Sequence, residues 1–240
     1  MERFIIACVA VLIATPVLAQ LQSGKAGYQI IGDVKGLRSG SKVFLIDGGK
    51  RKRVDSAIVS QDRFLMQSRL AEPAHMYLLT DEKGPNAKIA DILLDNRTVH
   101  VKGNKPVYDS VVVSGSEIDQ QWKDWYKNDQ RIGYQRYQIR QVYETLKTKN
   151  DTVNTKALEK VIGEMQALRI DQLKSYVKQY RNTAVGAALP TLCTLGDYLT
   201  AADYREMYNT LSPTWQQSSF GKEIMAEAVR KEKSADKTEK

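Results

Sequence analysis

Residues 110–122 read "SVVVSGSEIDQQW", and within them the hydrophobic period changes. Up to Ser114 apolar residues alternate or run in short blocks, as in strands; from Ile118 onward they recur at steps of three, four or seven, as on one side of a helix. Ser116 with Asp119 three residues later supplies a helix-start signal resembling a capping box. The chain divides there into two unlike halves. The fold class is α+β, an N-terminal antiparallel β-sandwich followed by an α-helical region.

Upstream of this boundary, eight short segments read as strands: "YQIIGDV", "KVFLID", "RVDSAIV", "RFLMQ", "HMYLLT", "IADILLD", "RTVHVKG" and "SVVVS". Turn residues separate them, among them Gly36, Gly40, Gly48 with Gly49, Asp62, Gly84 with Pro85, Asn96, and Gly103 with Asn104. None of the gaps holds a helix-length insert that could carry a parallel crossover, so the pattern predicts antiparallel pairing throughout.

Downstream, Ile118, Trp122, Trp125, Ile132, Ile139, Tyr143 and Leu146 form one apolar stripe, predicting a helix to about Asn150 with a weak point at Gly133. A second helix is predicted from near Thr155, its stripe being Leu158, Val161, Met165, Leu168, Gln172, Tyr176 and Tyr180. Two antiparallel helices are the simplest arrangement. Shorter helices follow at "TAVGAALPTLCTL", broken at Pro190, at "TAADYREMYNTL", ended by Ser212 and Pro213, and at "FGKEIMAEAVRK". No repeat period is present.

The first 19 residues read as a secretory signal: Arg3, an apolar run over residues 4–19, and the small residues Val17 and Ala19 before a cut that would leave Gln20 as the new N-terminus. That run, interrupted by Thr15 and Pro16, is shorter than the roughly 20 residues of a membrane-spanning helix. Cys8 follows too few apolar residues to read as a lipid-attachment site. The expected organisation is a signal peptide at 1–19, a sandwich at 26–115, a helical domain at 116–230 and a flexible tail at 231–240. The expected location is periplasmic or otherwise extracytoplasmic, with no stable membrane span after cleavage.

A chain of 240 residues with 42% hydrophobic content excludes disorder for most of its length. Its formal charge of +8 comes from 36 basic residues scattered among 28 acidic ones, which is a statement about solubility rather than about nucleic acid. After signal removal Cys193 is the one cysteine left, so no intrachain disulfide can form. Its setting, "ALPTLCTLG", reads as a buried small hydrophobe rather than a reactive thiol.

Catalytic motifs are missing. His75 in "PAHMYLL" and His100 in "TVHVKG" have no H-E-x-x-H or C-x-x-C company, and both read as ordinary strand residues. The "SGS" at 114–116 is not a G-x-S-x-G elbow, and no glycine-rich phosphate loop occurs. No residue is assigned to catalysis, to a metal or to a cofactor. Two features suit a partner. Lys50, Arg51, Lys52 and Arg53 crowd a predicted hairpin, a docking point for a polyanion or lipid headgroup if they are more than a solvated turn. Tyr134 and Tyr137 lie off the first helix's apolar stripe, interleaved with Arg131, Arg136 and Arg140, whereas Trp122 and Trp125 read as core.

The runs "YQIIGDVKGLRSGSKVFLID", "KRVDSAIVSQDRFLMQSRLAEPAHMYLL", "ILLDNRTVHVKGN" and "VVVSGSEIDQQW" resemble domain-of-unknown-function family 4369 of Gram-negative envelope proteins. Asp62-Arg63 stands where the family carries Gly-Lys, and Asn96-Arg97 where it carries Asn-Gly; both departures fall in turns. The helical half, through "MYNTLSPTWQQSSFGKEI", is similar to the segment that follows this domain in those proteins, so the likeness spans about 28–228. In many relatives a thioredoxin-like domain with W-C-x-x-C comes next, whereas no C-x-x-C occurs here. The resemblance implies an accessory, noncatalytic binding or interaction module whose partner is another envelope protein. The alternative it leaves open is an accessory subunit of a thiol-disulfide system whose thioredoxin-like catalyst is a separate chain.

Overall fold

The computed structural model describes residues 27–81 and 87–238. The expected signal segment and the expected turn at Gly84-Pro85 lie outside the described residues.

All eight predicted strands form: β1 (Tyr28–Val34), β2 (Lys42–Asp47), β3 (Lys52–Ile58), β4 (Arg63–Ser68), β5 (Ala74–Thr80), β6 (Lys88–Leu94), β7 (Thr98–Gly103) and β8 (Val111–Ser114). They make two four-stranded sheets, in the orders β4-β1-β7-β8 and β3-β2-β5-β6. Alternation decides which side chains enter. Ile30 and Val34 of β1, Val43 and Leu45 of β2, Met76 and Leu78 of β5, and Val99 and Val101 of β7 fill one apolar core between the sheets.

One pairing departs from expectation, because β1 and β7 run parallel, with Ile30 opposite Val99 and Gly32 opposite Val101. A parallel neighbour needs a long crossover but not a helical one. Here the whole second sheet serves, since β2, β3, β5 and β6 all lie between β1 and β7 in the chain. The chain changes sheets between β3 and β4 through a tight turn in which Ser60 and Arg63 exchange both backbone hydrogen bonds. Gln61 and Asp62 there have φ of 49° and 64°, the left-handed pair of a type I′ turn. Asp62, where the resemblance implies a glycine, adopts this conformation at the cost of some backbone strain, and its Oδ1 accepts the Gly36 N–H at 3.0 Å. At the second departure Asn96 bridges the Leu70 backbone, accepting from its N–H and donating to its carbonyl, both at 2.8 Å.

The helical half contains α1 (Glu117–Thr148), α2 (Thr152–Gln179), α3 (Ala184–Leu192), α4 (Ala201–Thr210), the short α5 (Pro213–Gln216) and α6 (Ser219–Thr238). Helices α1 and α2 are antiparallel, as the pairs Asn128 with Tyr176 and Arg136 with the Ile162 carbonyl require. The stripe of α1 is as predicted, buried at Trp122, Trp125 and Ile132 and half-buried beyond. That of α2 holds in part: Leu158, Met165, Gln172, Tyr176 and Tyr180 are half-buried, but Val161 and Leu168 are exposed, and the fully buried positions are Arg169, Leu173 and Val177.

The reason is a buried ion pair. Arg169 donates to both carboxylate oxygens of Asp129 at 2.7 and 2.8 Å and to Thr194 Oγ1 at 3.0 Å, while Thr194 donates to Asp129 Oδ2. Gly133, expected to weaken α1, leaves room for this guanidinium: a Cβ there would sit 3.3 Å from Arg169 Cζ. The helix passes through it unbroken. Helix α6 also continues into the expected tail, supported by the Arg205–Glu232 bridge and by Lys231, which donates to the Asp197 carbonyl.

Candidate functional site: the cleft between sandwich and helices

The two halves are joined at the free edge of β6. Ser116 caps α1 by accepting the Asp119 N–H at 3.3 Å, and its hydroxyl donates to the Leu93 carbonyl at 3.2 Å. The sequence suggests a reciprocal capping box, but the Asp119 carboxylate turns to the sandwich, accepting the Leu93 N–H at 2.9 Å and Lys123 Nζ at 2.6 Å. An edge strand with bare backbone groups is thereby closed by the start of the next helix. The Leu93 side chain, fully buried, joins the helical core with Trp122 and Trp125.

His75 lies at this seam. Its ring stands edge-on to Tyr77 at 4.8 Å and to Trp122 at 5.1 Å between centroids. Its Nε2 faces Asp91 Oδ1 at 3.9 Å, and both atoms are buried without a hydrogen-bond partner. The other Asp91 oxygen accepts from Lys88 at 3.0 Å and from the Tyr108 hydroxyl at 2.8 Å. Burial pushes the His75 imidazole below its usual value, against the opposing pull of Asp91.

Beyond His75 the halves part to leave a half-open cleft of about 900 Å³. One side is the β2–β3 turn with Gly48 and Gly49, and the other is α6. The floor is apolar, from Tyr77, Leu192, Tyr204 and Phe220. Gly48 is a glycine by necessity: its N–H donates to the His75 carbonyl at 2.8 Å, and a Cβ would come 2.9 Å from His75 Nδ1. Glu223 of α6 reaches this turn, with Oε1 3.2 Å from where a Gly49 Cβ would be. Loss of surrounding water, and then the nearby Asp47 charge, hold its carboxyl above the usual range. Burial pushes the Tyr204 hydroxyl up to about 12.

The basic run divides. Lys50 is tied to Asp47, its N–H donating at 2.8 Å and its Nζ standing 3.4 Å away. Arg53 stacks on Phe44 with Cζ 4.3 Å from the ring centre. Arg51 and Lys52 line the cleft with no ion-pair partner among the described residues. Tyr134 and Tyr137, 62% and 56% exposed, lie on the outer side of α1 and are not part of the cleft. Arg136 does not share their surface, because it stacks on Tyr198 at 5.1 Å. Cys193 sits outside the cleft lining, donating to the Pro190 carbonyl at 3.4 Å, and burial pushes its thiol up to about 11. His100 lies half-buried on β7, far in sequence pairing from β5 in the other sheet.

Sequence reasoning missed the acidic wall. Glu223 and Glu227 are signalled only by an ordinary amphipathic helix, and nothing local says which turn that helix will face. Among the described residues no three His, Cys, Asp or Glu side chains are grouped to hold a metal ion, and no helix is long and apolar enough to cross a membrane.

Residues 28–122 match the family model described as Domain of unknown function (DUF4369). Over that stretch the chain is similar to this family. The match passes the period change at Ser114 and ends on Trp122, so the DUF4369 segment takes in Ser116, Asp119 and Trp122, the α1 residues that grip the sandwich. No curated protein and no solved structure matches the chain.

Proposed function

We propose that this chain is an exported, noncatalytic binding module of the cell envelope, and that its ligand enters the cleft between the DUF4369 sandwich and the helices. The observation that carries the reading is the cleft itself, a concavity of about 900 Å³ with an apolar floor and charged walls contributed by both halves. Ligand sites concentrate at such junctions, and the size lies toward the upper end of the roughly 300–1,000 Å³ usual for them. The basic hairpin that the sequence offers as a partner contact supplies one lip. Cys193 is a poor candidate for thiol exchange with a partner, since a thiol held near 11 is almost wholly protonated at neutral pH.

A photoreactive phenylalanine analogue at Ala226, in the cleft, should form one adduct in cells with a defined envelope component, identified by mass spectrometry. The same analogue at Val112, on the outside of the sandwich, should not. Equal or absent labelling from the two positions overturns the cleft as the binding site. Intact-mass measurement of the exported chain should give an N-terminus at Gln20; retention of Met1 would overturn export.

A further inference from the structure

We propose that the cleft takes a polypeptide segment that carries both charge signs; this rests on the cleft being the binding site. Five acids and five bases line it. Asp47 is paired with Lys50, and Glu227 with Arg230. Three cations, Arg51, Lys52 and Arg69, and three acids, Glu72, Asp197 and Glu223, remain without ion-pair partners among the described residues. Glu72 accepts only a backbone donor, the Ser219 N–H at 3.1 Å. Opposite charges in one cleft attract, yet none of these six comes within 4.0 Å of another of opposite sign.

A ligand that satisfies both sets must carry both signs. A polyanion would meet the cations at the lip but bring its remaining charge against Glu223, whose carboxyl already lacks a counter-ion. An acyl chain would find a short apolar floor between ten charged side chains rather than an apolar tunnel. A peptide with lysine or arginine, acidic and apolar residues together can meet the free acids, the free cations and the floor.

The test passes a randomised hexapeptide mixture over the immobilised full chain and sequences what is retained, with Ala226→Trp as the blocked control. Peptides holding both charge signs should be enriched. Their affinity should fall about tenfold in Arg51→Glu/Lys52→Glu and again in Glu223→Lys, and should weaken with added salt. Enrichment of all-acidic peptides, insensitive to Glu223→Gln, overturns the mixed-charge ligand and leaves the cleft standing. Retention no greater than on Ala226→Trp overturns both. Vesicles of phosphatidylethanolamine or phosphatidylglycerol that bind the chain and compete with the peptides would assign the same groups to lipid, and so overturn the proposal.

Discussion

The sandwich and the helical half keep charge in different places. Between the sheets the core is apolar throughout, from Tyr28 and Ile30 to Val101 and Val113, and the buried polar residues Ser41, Asp47 and Thr80 sit at strand ends. The helical half buries Asp129 and Arg169 on facing helices and Asp119 at its first turn. In a strand the choice of side is binary, so a charge at an inward position would have to enter the core between the sheets. Between helices a long side chain can cross to a partner, and the apolar stripe tolerates an ion pair if every donor is met.

The largest test of this contrast is Arg169→Met. It leaves Asp129 buried without its cation and should lower stability by about 3–5 kcal/mol in urea unfolding, whereas Asp129→Leu/Arg169→Met should recover most of the loss. A single-variant cost below about 1 kcal/mol would mean that the helices do not depend on the pair. Next comes Asp119→Ala, which deprives the Leu93 N–H of its acceptor at the seam. A cost of about 2 kcal/mol is expected, with faster hydrogen exchange at Leu93 than at Met76 inside the same sheet.

His75 gives a pH-dependent version. Because burial lowers its folded-state pKa below the ordinary imidazole value of about 6.5, the unfolded chain binds the proton more readily. Stability contributed by the neutral ring is therefore full above about pH 6.5 and is lost as pH falls from there through the depressed folded value. His75→Gln should show a flatter stability profile between pH 7 and 5 than the native chain; an identical profile would place the ring outside the linkage.

Two smaller effects sharpen the picture. Cys193→Ser should cost about 1 kcal/mol through lost packing, and the native thiol should react with a thiol reagent much more slowly than the unfolded one. Rapid native labelling would restore a redox role. Gln61→Gly, at φ 49° in the sheet-changing turn, should stabilise by about 0.5 kcal/mol, since relief of left-handed strain slightly exceeds the added chain entropy. A loss there would show that the Gln61 side chain contributes something beyond its backbone.

The strands were legible because a pleated chain puts alternate residues on opposite sides, a rule that needs no knowledge of the partner. All eight strands, the start of α1 at Ser116 and the stripe through Trp122 and Trp125 follow from such local periodicity. The parallel β1–β7 pair did not, because pairing direction depends on the path of the whole intervening chain. The α2 stripe was read only in part, because the apolar pattern does not point to Arg169, which faces inward to Asp129 forty residues earlier. Of the candidate site, the basic lip at residues 50–52 stood out as part of a run in sequence. Its acidic counterpart did not, since Glu223 is an unremarkable residue of α6 until that helix is docked beside Gly49.

Period and composition thus determined what each segment becomes, because secondary structure is set by neighbours one to four residues away. Long-range packing settled what the segments jointly make: which helix residues close the β6 edge, where His75 is trapped, and that Arg51 and Lys52 of the basic run share a cleft with Glu223 of α6. Those depend on the field and shape that distant residues impose on one another, and no short stretch of sequence contains both sides of such a contact.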